Sequence, residues 1–312
     1  MHDPQAFAPQ SSVTRGGPFC DDGGEPPDNG RFPIYSRHFG LNGRPFSLLP
    51  DPNFVFWSAV HARAYAMLEY GLATFAPIIM ITGEIGAGKT TLVRHLLNTA
   101  GTNLRIGLVS NAIAGRGSLL HWALLSLQEP LEGRIPHVQR FSHFEMLLRG
   151  EKARGRHTVL IIDEAQNLSV KMLEELRCLS NLNDESDELL QIVLTGQPEL
   201  NRTIDRPSML QFAQRVSARF HLTGMPAEAV EQYVAHRLRV AGADRQIFSP
   251  AACDLVYSVS RGLPRVINQI CDYALVYAFA DDRATVDADL IRQVLVDRKT
   301  PFPTASAMPA GL

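Results

Sequence analysis

A chain of 312 residues with 45% hydrophobic residues can bury a substantial core, and its length admits one large domain or two smaller ones. A formal net charge of −2 supplies no global basic field, so general affinity for nucleic acid is not implied. The four cysteines, Cys20, Cys178, Cys253 and Cys271, stand far apart without a C-x-x-C pair, which argues against a zinc site and a disulfide framework; Cys253 and Cys271 fit small core residues.

In chain order, residues 1–33 combine Pro, Gly and acidic residues with almost no apolar pattern, as in a disordered tail. From Tyr35 to Asn53 the chain reads as an irregular linker anchored by Phe39, Pro45, Phe46 and Leu48, and Ser58 caps a helix running through Leu72. The β-branched run from Ile78 to Thr82 is a buried strand. It feeds Gly83-Glu84-Ile85-Gly86-Ala87-Gly88-Lys89-Thr90, which fits G-x-x-x-x-G-K-[ST] and is followed by Thr91 and a helix with Leu92, Val93, Leu96 and Leu97 on one face. This pattern selects a nucleoside triphosphate. Gly83, Gly86 and Gly88 let backbone N–H groups turn toward anionic oxygens, Lys89 reaches the outer phosphates, and the Thr90 hydroxyl can hold Mg²⁺.

A second strand covers Arg105 to Val109, helices cover Ser118 to Leu127 and Phe141 to Lys152, and a third strand covers Thr158 to Ile162. That strand ends in Asp163-Glu164, where one carboxylate can hold Mg²⁺ through water and a second can polarise the attacking water; a solvated strand end is the alternative. Ser169 caps a helix carrying Met172, Leu173, Leu176 and Leu179, and a fourth strand from Leu189 ends at Thr195-Gly196-Gln197. Either Thr195 or Gln197 could contact the γ-phosphate or the attacking water; an ordinary turn is the alternative. Arg215 and Arg219, spaced as one helical turn, are candidates for an arginine given to a neighbouring subunit's triphosphate. Beyond Met225-Pro226 the strand signal ends and four helices follow, near Ala227 to Val240, Pro250 to Val259, Pro264 to Phe279 and Val286 to Val296; Arg265 opens the third and could reach back over the nucleotide. Strands alternating with helices argue for a parallel α/β sheet covered on both faces, here followed by an all-helical domain. The expected organisation is therefore a tail (1–33), an α/β core (34–225), a helical lid (226–299) and a frayed end (300–312). With no apolar run of about 18 residues and no signal peptide, a cytoplasmic protein without a membrane span is expected.

These motifs in this order resemble an AAA+ ATPase, most closely the secretion-type ExeA/GspA branch. The segments that carry the resemblance are Phe39-Gly40-Leu41, Arg44 to Pro52, the phosphate loop, Asp163-Glu164-Ala165-Gln166-Asn167-Leu168, Thr195-Gly196-Gln197-Pro198-Glu199-Leu200, Gln214-Arg215 and Gly262-Leu263-Pro264-Arg265. The resemblance implies a P-loop core with a five-stranded parallel sheet and a helical lid. It implies Asp163 as the metal-side carboxylate, Glu164 as catalytic base, Thr195 or Gln197 as sensor 1, Arg215 before Arg219 as the finger in trans, and Arg265 as sensor 2. The aromatic and proline residues before Pro50 would lie near adenine. Secretion-type members commonly continue into a membrane span and a peptidoglycan-binding module, and this chain matches the form without them.

The function expected is an ATP- and Mg²⁺-dependent ATPase acting as a homo-oligomeric motor or switch, serving membrane-associated secretion or polysaccharide-export proteins. The alternative is a DNA-transaction ATPase of the transposition-regulator type on duplex DNA, for which Arg149, Lys152, Arg154, Arg156 and His157 form the dense basic run. A nucleotide-dependent scaffold with negligible turnover is disfavoured by Glu164, which binding alone does not need.

Overall fold

The computed structural model describes residues 34–49, 51–110, 118–129, 133, 135–183 and 188–297. Sequence readings for residues 1–33 and beyond 297, and Cys20, lie outside them. Five parallel strands run β1 (Ile78–Gly83), β2 (Leu104–Val109), β3 (His157–Ile162), β4 (Leu190–Gly196) and β5 (Val216–Leu222), in the spatial order β2-β3-β4-β1-β5. Every residue of β1 and β4 is buried, as expected of strands covered on both faces.

Strand periodicity divides the apolar side chains between two layers. Ile79, Ile81, Val159, Ile161 and Val193 face a cluster completed by α1 (Ala59–Ala73) and α2 (Lys89–Thr99). Ile78, Met80, Leu160, Ile162, Ile192 and Leu194 face α3 (Leu119–Ser126), α4 (His137–Ala153), α5 (Val170–Ser180) and the short helices α6 (Pro198–Ile204) and α7 (Leu210–Ala213). Ser58, Ser118 and Ser169 cap α1, α3 and α5 by accepting from the third residue onward.

Three expectations are corrected. The segment holding Arg219 is a strand, β5, and not a helix: Val216, Ala218, Phe220 and Leu222 turn inward while Ser217 and Arg219 are exposed, a period of two in which the Arg215–Arg219 spacing has no helical meaning. Helix α4 begins at His137, one turn before Phe141, following Pro136. Leu48 is exposed rather than an anchor.

Four helices follow the sheet: α8 (Ala227–Val240), α9 (Pro250–Ser260), α10 (Pro264–Ala280) and α11 (Ala288–Asp297). Their core takes in Tyr35, Phe39, Leu41 and Phe46 from the start of the described chain, and Cys253 and Cys271 are buried within it. Arg237 on α8 donates from Nε to the Pro45 carbonyl at 2.6 Å, and the Tyr35 hydroxyl donates to Asp272 on α10. The same apolar cluster includes Ala87 of the phosphate loop, Leu92 of α2 and Leu222 of β5, so the helices are continuous with the sheet's edge. The chain leaves and re-enters this region by crossing itself at two glycines. Met225 N–H donates to Gly262 O at 2.9 Å, a Cβ at Gly224 would lie 2.0 Å from Arg261 O, and Gly262 has a φ of +74°.

The basic run is largely engaged within its own chain. The fully buried Glu151 carboxylate on α4 pairs with Arg105 at 2.6 Å, Arg154 at 2.8 Å and Arg156 at 2.6 Å, while Arg149 pairs with Glu145 at 3.0 Å. Burial pushes the Glu151 carboxyl up, but its bonds from Arg156 and Arg105 outweigh that and hold it below the ordinary range. Its contribution to stability is therefore complete above the ordinary carboxylate pKa and is lost as pH falls through the lowered one. Glu151→Gln should destabilise the protein by about 2 kcal/mol at pH 7, less than for a sealed pair because Arg154 and Arg156 reach water. Urea unfolding checks this, and the loss should shrink toward acid pH.

Candidate functional site

The site is built at the C-terminal ends of β1, β4 and β3, where the sheet order places β4 between the phosphate loop and the two carboxylates. The loop from Glu84 to Gly88 needs glycine at two points: Gly86 has a φ of +80° and Gly88, at the N-terminus of α2, a φ of +104°. Lys89 follows, almost wholly buried, with Nζ donating to Gly83 O at 2.7 Å and Glu84 O at 2.9 Å. Burial lowers its pKa, opposed by the charges of Glu164, Asp163, Glu84 and Glu199. Ile85 is exposed, Ala87 is buried, and Thr91 is half-buried in the first turn of α2.

Asp163 binds three partners. Its Oδ2 accepts from the Thr90 hydroxyl at 3.1 Å; its Oδ1 accepts from the Thr195 hydroxyl at 2.6 Å and from the Glu164 N–H at 3.0 Å. Thr195 is fully buried, so its hydroxyl is directed at Asp163 rather than at open space. Glu164 sits in the left-handed region, φ 56° and ψ 40°, uncommon for a residue with a Cβ and costing of order 1–3 kcal/mol. Its Oε2 accepts from Gln166 Nε2 at 2.6 Å and from Gln197 Nε2 at 3.4 Å.

The two arginines read as alternatives have different surroundings. Arg219 is clamped inside its own chain by Asn201 at 2.8 Å and Asp205 at 2.8 Å. Arg215, in the turn before β5, is held by no ion pair among the described residues. Arg265, in the first turn of α10, donates its N–H to Gly86 O at 3.3 Å, and a Cβ on Gly86 would lie 2.4 Å from the Arg265 Cβ. The lid helix thus rests on the loop.

Sequence reasoning missed His61 and Gln166. His61, buried on α1, accepts from or donates to Ser58 Oγ at 2.7 Å through Nδ1 and meets the Ala87 carbonyl at 2.9 Å through Nε2. A carbonyl only accepts, so Nε2 carries the proton and Nδ1 accepts from Ser58. The spacing Ser58-x-x-His61 marks the cap, but nothing in it announces the loop 26 residues on. A cavity of about 310 Å³ opens beside the loop, with Phe54, Phe56, Trp57, His61, Tyr233 and Arg237 in its wall. The aromatic residues there follow Pro50; those before it, Phe39 and Phe46, are buried in the helical core instead.

The donor set suits a hard cation. Thr90 and Asp163 offer oxygen ligands on adjacent elements, and among the described residues no group of three or more His, Cys, Asp or Glu could hold a metal alone. Mg²⁺ is commonly bound in that way, by one or two protein oxygens with substrate phosphates and water.

The five-stranded parallel sheet, the phosphate loop after β1 and the helices that close on it define a P-loop protein of the AAA+ class. Residues 74–204 match the AAA domain family. Within the class, the chain is related to the general secretion pathway protein A of Aeromonas hydrophila, with 39% identity over 247 residues, which is 79% of this chain and 45% of that protein. The chain therefore spans less than half the length of that relative. Among solved structures, the fold is similar to the ORC2 protein of Aeropyrum pernix in its ADPNP-ADP complexes (TM-score 0.61, 17% identity, 81% of this chain and 71% of that one). It is similar also to Cdc6p of Pyrobaculum aerophilum (TM-score 0.62, 17% identity, 81% and 70%). Among the described residues no helix is long and apolar enough to cross a membrane.

The buried His61 gives the loop a pH dependence. Burial lowers its pKa, with the Ala87 carbonyl opposing. The unfolded chain then takes up the proton first, so the stability His61 contributes is present above about pH 6.5 and is lost as pH falls toward the lowered value. His61→Gln should flatten the stability profile between pH 7 and 5 by up to about 1.4 kcal/mol per pH unit, measured by urea unfolding. His157 and His236, also lowered by burial, should keep the remaining slope.

Proposed function

We propose that this chain binds Mg·ATP, hydrolyses it to ADP and phosphate, and works as a homo-oligomeric motor or switch. The observation that carries the reading is Asp163: one carboxylate joined to Thr90 of the phosphate loop and to Thr195 of β4, with Glu164 beside it. On this reading the loop N–H groups and Lys89 hold the phosphates, Lys89 exchanging the Gly83 and Glu84 carbonyls for phosphate oxygens. Mg²⁺, held by Thr90 and Asp163, would neutralise charge on the phosphates. Glu164 takes a proton from water as the water oxygen bonds to the γ-phosphorus. The bond from that phosphorus to the β–γ bridging oxygen breaks, and its electron pair stays on ADP.

Arg215 of a neighbouring subunit is the proposed source of positive charge at the transition state, since Arg219 is already clamped by Asp205. Arg265 is proposed to report the state of the loop to the lid, because its backbone touches Gly86. The relationship to general secretion pathway protein A supports a cytoplasmic role beside membrane-associated secretion or export proteins. Duplex DNA is the weaker reading, because Arg154, Arg156 and Arg149 of the basic run already have carboxylate partners.

Lys89→Ala should bind ATP at least about tenfold more weakly by isothermal titration, with an unchanged fold. Glu164→Gln should still bind Mg·ATP yet hydrolyse it at least about a hundredfold more slowly. Unchanged turnover in Glu164→Gln would exclude Glu164 as the base. If the arginine acts in trans, mixing Arg215→Ala with Glu164→Gln subunits should restore activity that neither has alone. Mixed assemblies with no recovered turnover at any ratio would place Arg215 outside the composite site.

A further inference from the structure

We infer that Gln166 is the positioning residue for Glu164, holding one carboxylate oxygen so that the other is left to receive the proton from water. This deepens the reading in which Glu164 is the base and rests on it. Gln166 lies in the 3-10 turn Ala165–Asn167 immediately after Glu164. The left-handed backbone at Glu164 folds the chain sharply enough for the side chains of residues 164 and 166 to converge, which an extended continuation of β3 would set side by side on one face.

Both ends of the Gln166 amide are used. Its Nε2 donates to Glu164 Oε2 at 2.6 Å, and its Oε1 accepts from the backbone N–H of Gln197 at 3.0 Å. Those partners dictate the amide's orientation, because a flipped amide would set its oxygen against the carboxylate and its NH₂ against an N–H. Gly196 leaves the room, since a Cβ there would stand 3.0 Å from Gln166 Oε1. The second donor on Oε2, Gln197 Nε2, comes from the same turn at the end of β4.

Each carboxylate is therefore tied to β4 by its own link: Asp163 through Thr195, and Glu164 through Gln166 and Gln197. A glutamate has several rotatable bonds, and fixing them before the reaction removes an entropy cost that would otherwise fall on the transition state. With Oε2 engaged twice, Oε1 is the acceptor that remains. The sequence signal is the two-residue spacing in Asp163-Glu164-Ala165-Gln166, whose meaning depends on the left-handed turn.

The test compares Gln166→Ala and Gln166→Glu in the full chain, with Mg·ATP turnover and nucleotide affinity measured for each. Gln166→Glu keeps the length of the side chain and an oxygen for the Gln197 N–H but replaces the donor with an anion facing Glu164. A residue that only packs the turn would tolerate it. Both variants should lower kcat by about ten- to hundredfold, with KM for ATP within about twofold of the parent. Adding Gln166→Ala to Glu164→Gln should slow turnover no further, because the group being positioned is already gone. Parent-like kcat in Gln166→Glu, or a further loss in the double variant equal to that of Gln166→Ala alone, would overturn the inference while leaving Glu164 as base. Undiminished turnover in Glu164→Gln would instead remove the base reading and this inference with it.

Discussion

A single carboxylate, that of Asp163, joins the parts of the site that come from different strands. It accepts from Thr90 at the start of α2 and from Thr195 at the end of β4, and its own backbone N–H donates to Val109 O at the end of β2. Four elements thus meet through one residue that is 8% exposed. A charge so nearly enclosed is tolerable only with its acceptor positions occupied, and two hydroxyls and an N–H occupy them. Any cation entering between Thr90 and Asp163 must exchange with the hydrogen bond that now joins them, so metal entry and the local geometry of the loop are coupled by construction.

The loop is also held from two outer sides. His61 props the Ala87 carbonyl from α1, and Arg265 meets the Gly86 carbonyl from α10. Both contacts engage backbone carbonyls of the loop and not its N–H groups. The same glycines that give the loop its positive φ values also admit these props: a Cβ on Gly88 would lie 2.7 Å from His61 Nε2, and one on Gly86 would collide with Arg265. Glycine here answers two demands, the turn of the backbone and the close approach of its neighbours.

How far the sequence could be read follows from where the information lies. Strands β1, β3 and β4 were legible because burial on both faces makes them continuous apolar runs, the four lid helices because one face of each carries a regular apolar period, and the phosphate loop and Asp163-Glu164 because their chemistry is contiguous. Strand β5 was not: it pairs only with β1, and its Ser217, Arg219 and His221 leave too few apolar residues to outweigh an arginine pair at helical spacing. His61 and Gln166 escaped for another reason. Their partners, Ala87 and Gln197, lie 26 and 31 residues away, a proximity set by the fold and not by any local pattern. The resemblance to the secretion-type AAA+ branch, by contrast, agrees with the similarity to the Aeromonas hydrophila protein.

The segment around Tyr35, Phe39 and Phe46 has a consequence for how the molecule is made. Tyr35 bonds to Asp272 across 237 residues, and the aromatic side chains near it fill the core of helices far downstream in the chain. As the chain leaves the ribosome, that early segment has no surface to bury against until α8 to α10 have emerged. Contacts of such long sequence separation form late, because the intervening loop must close first. The sheet can assemble before the lid's core closes, which waits for α8 to α10. Until those helices emerge the nascent protein carries an unsheltered aromatic segment, a natural site for a chaperone that recognises exposed apolar chain.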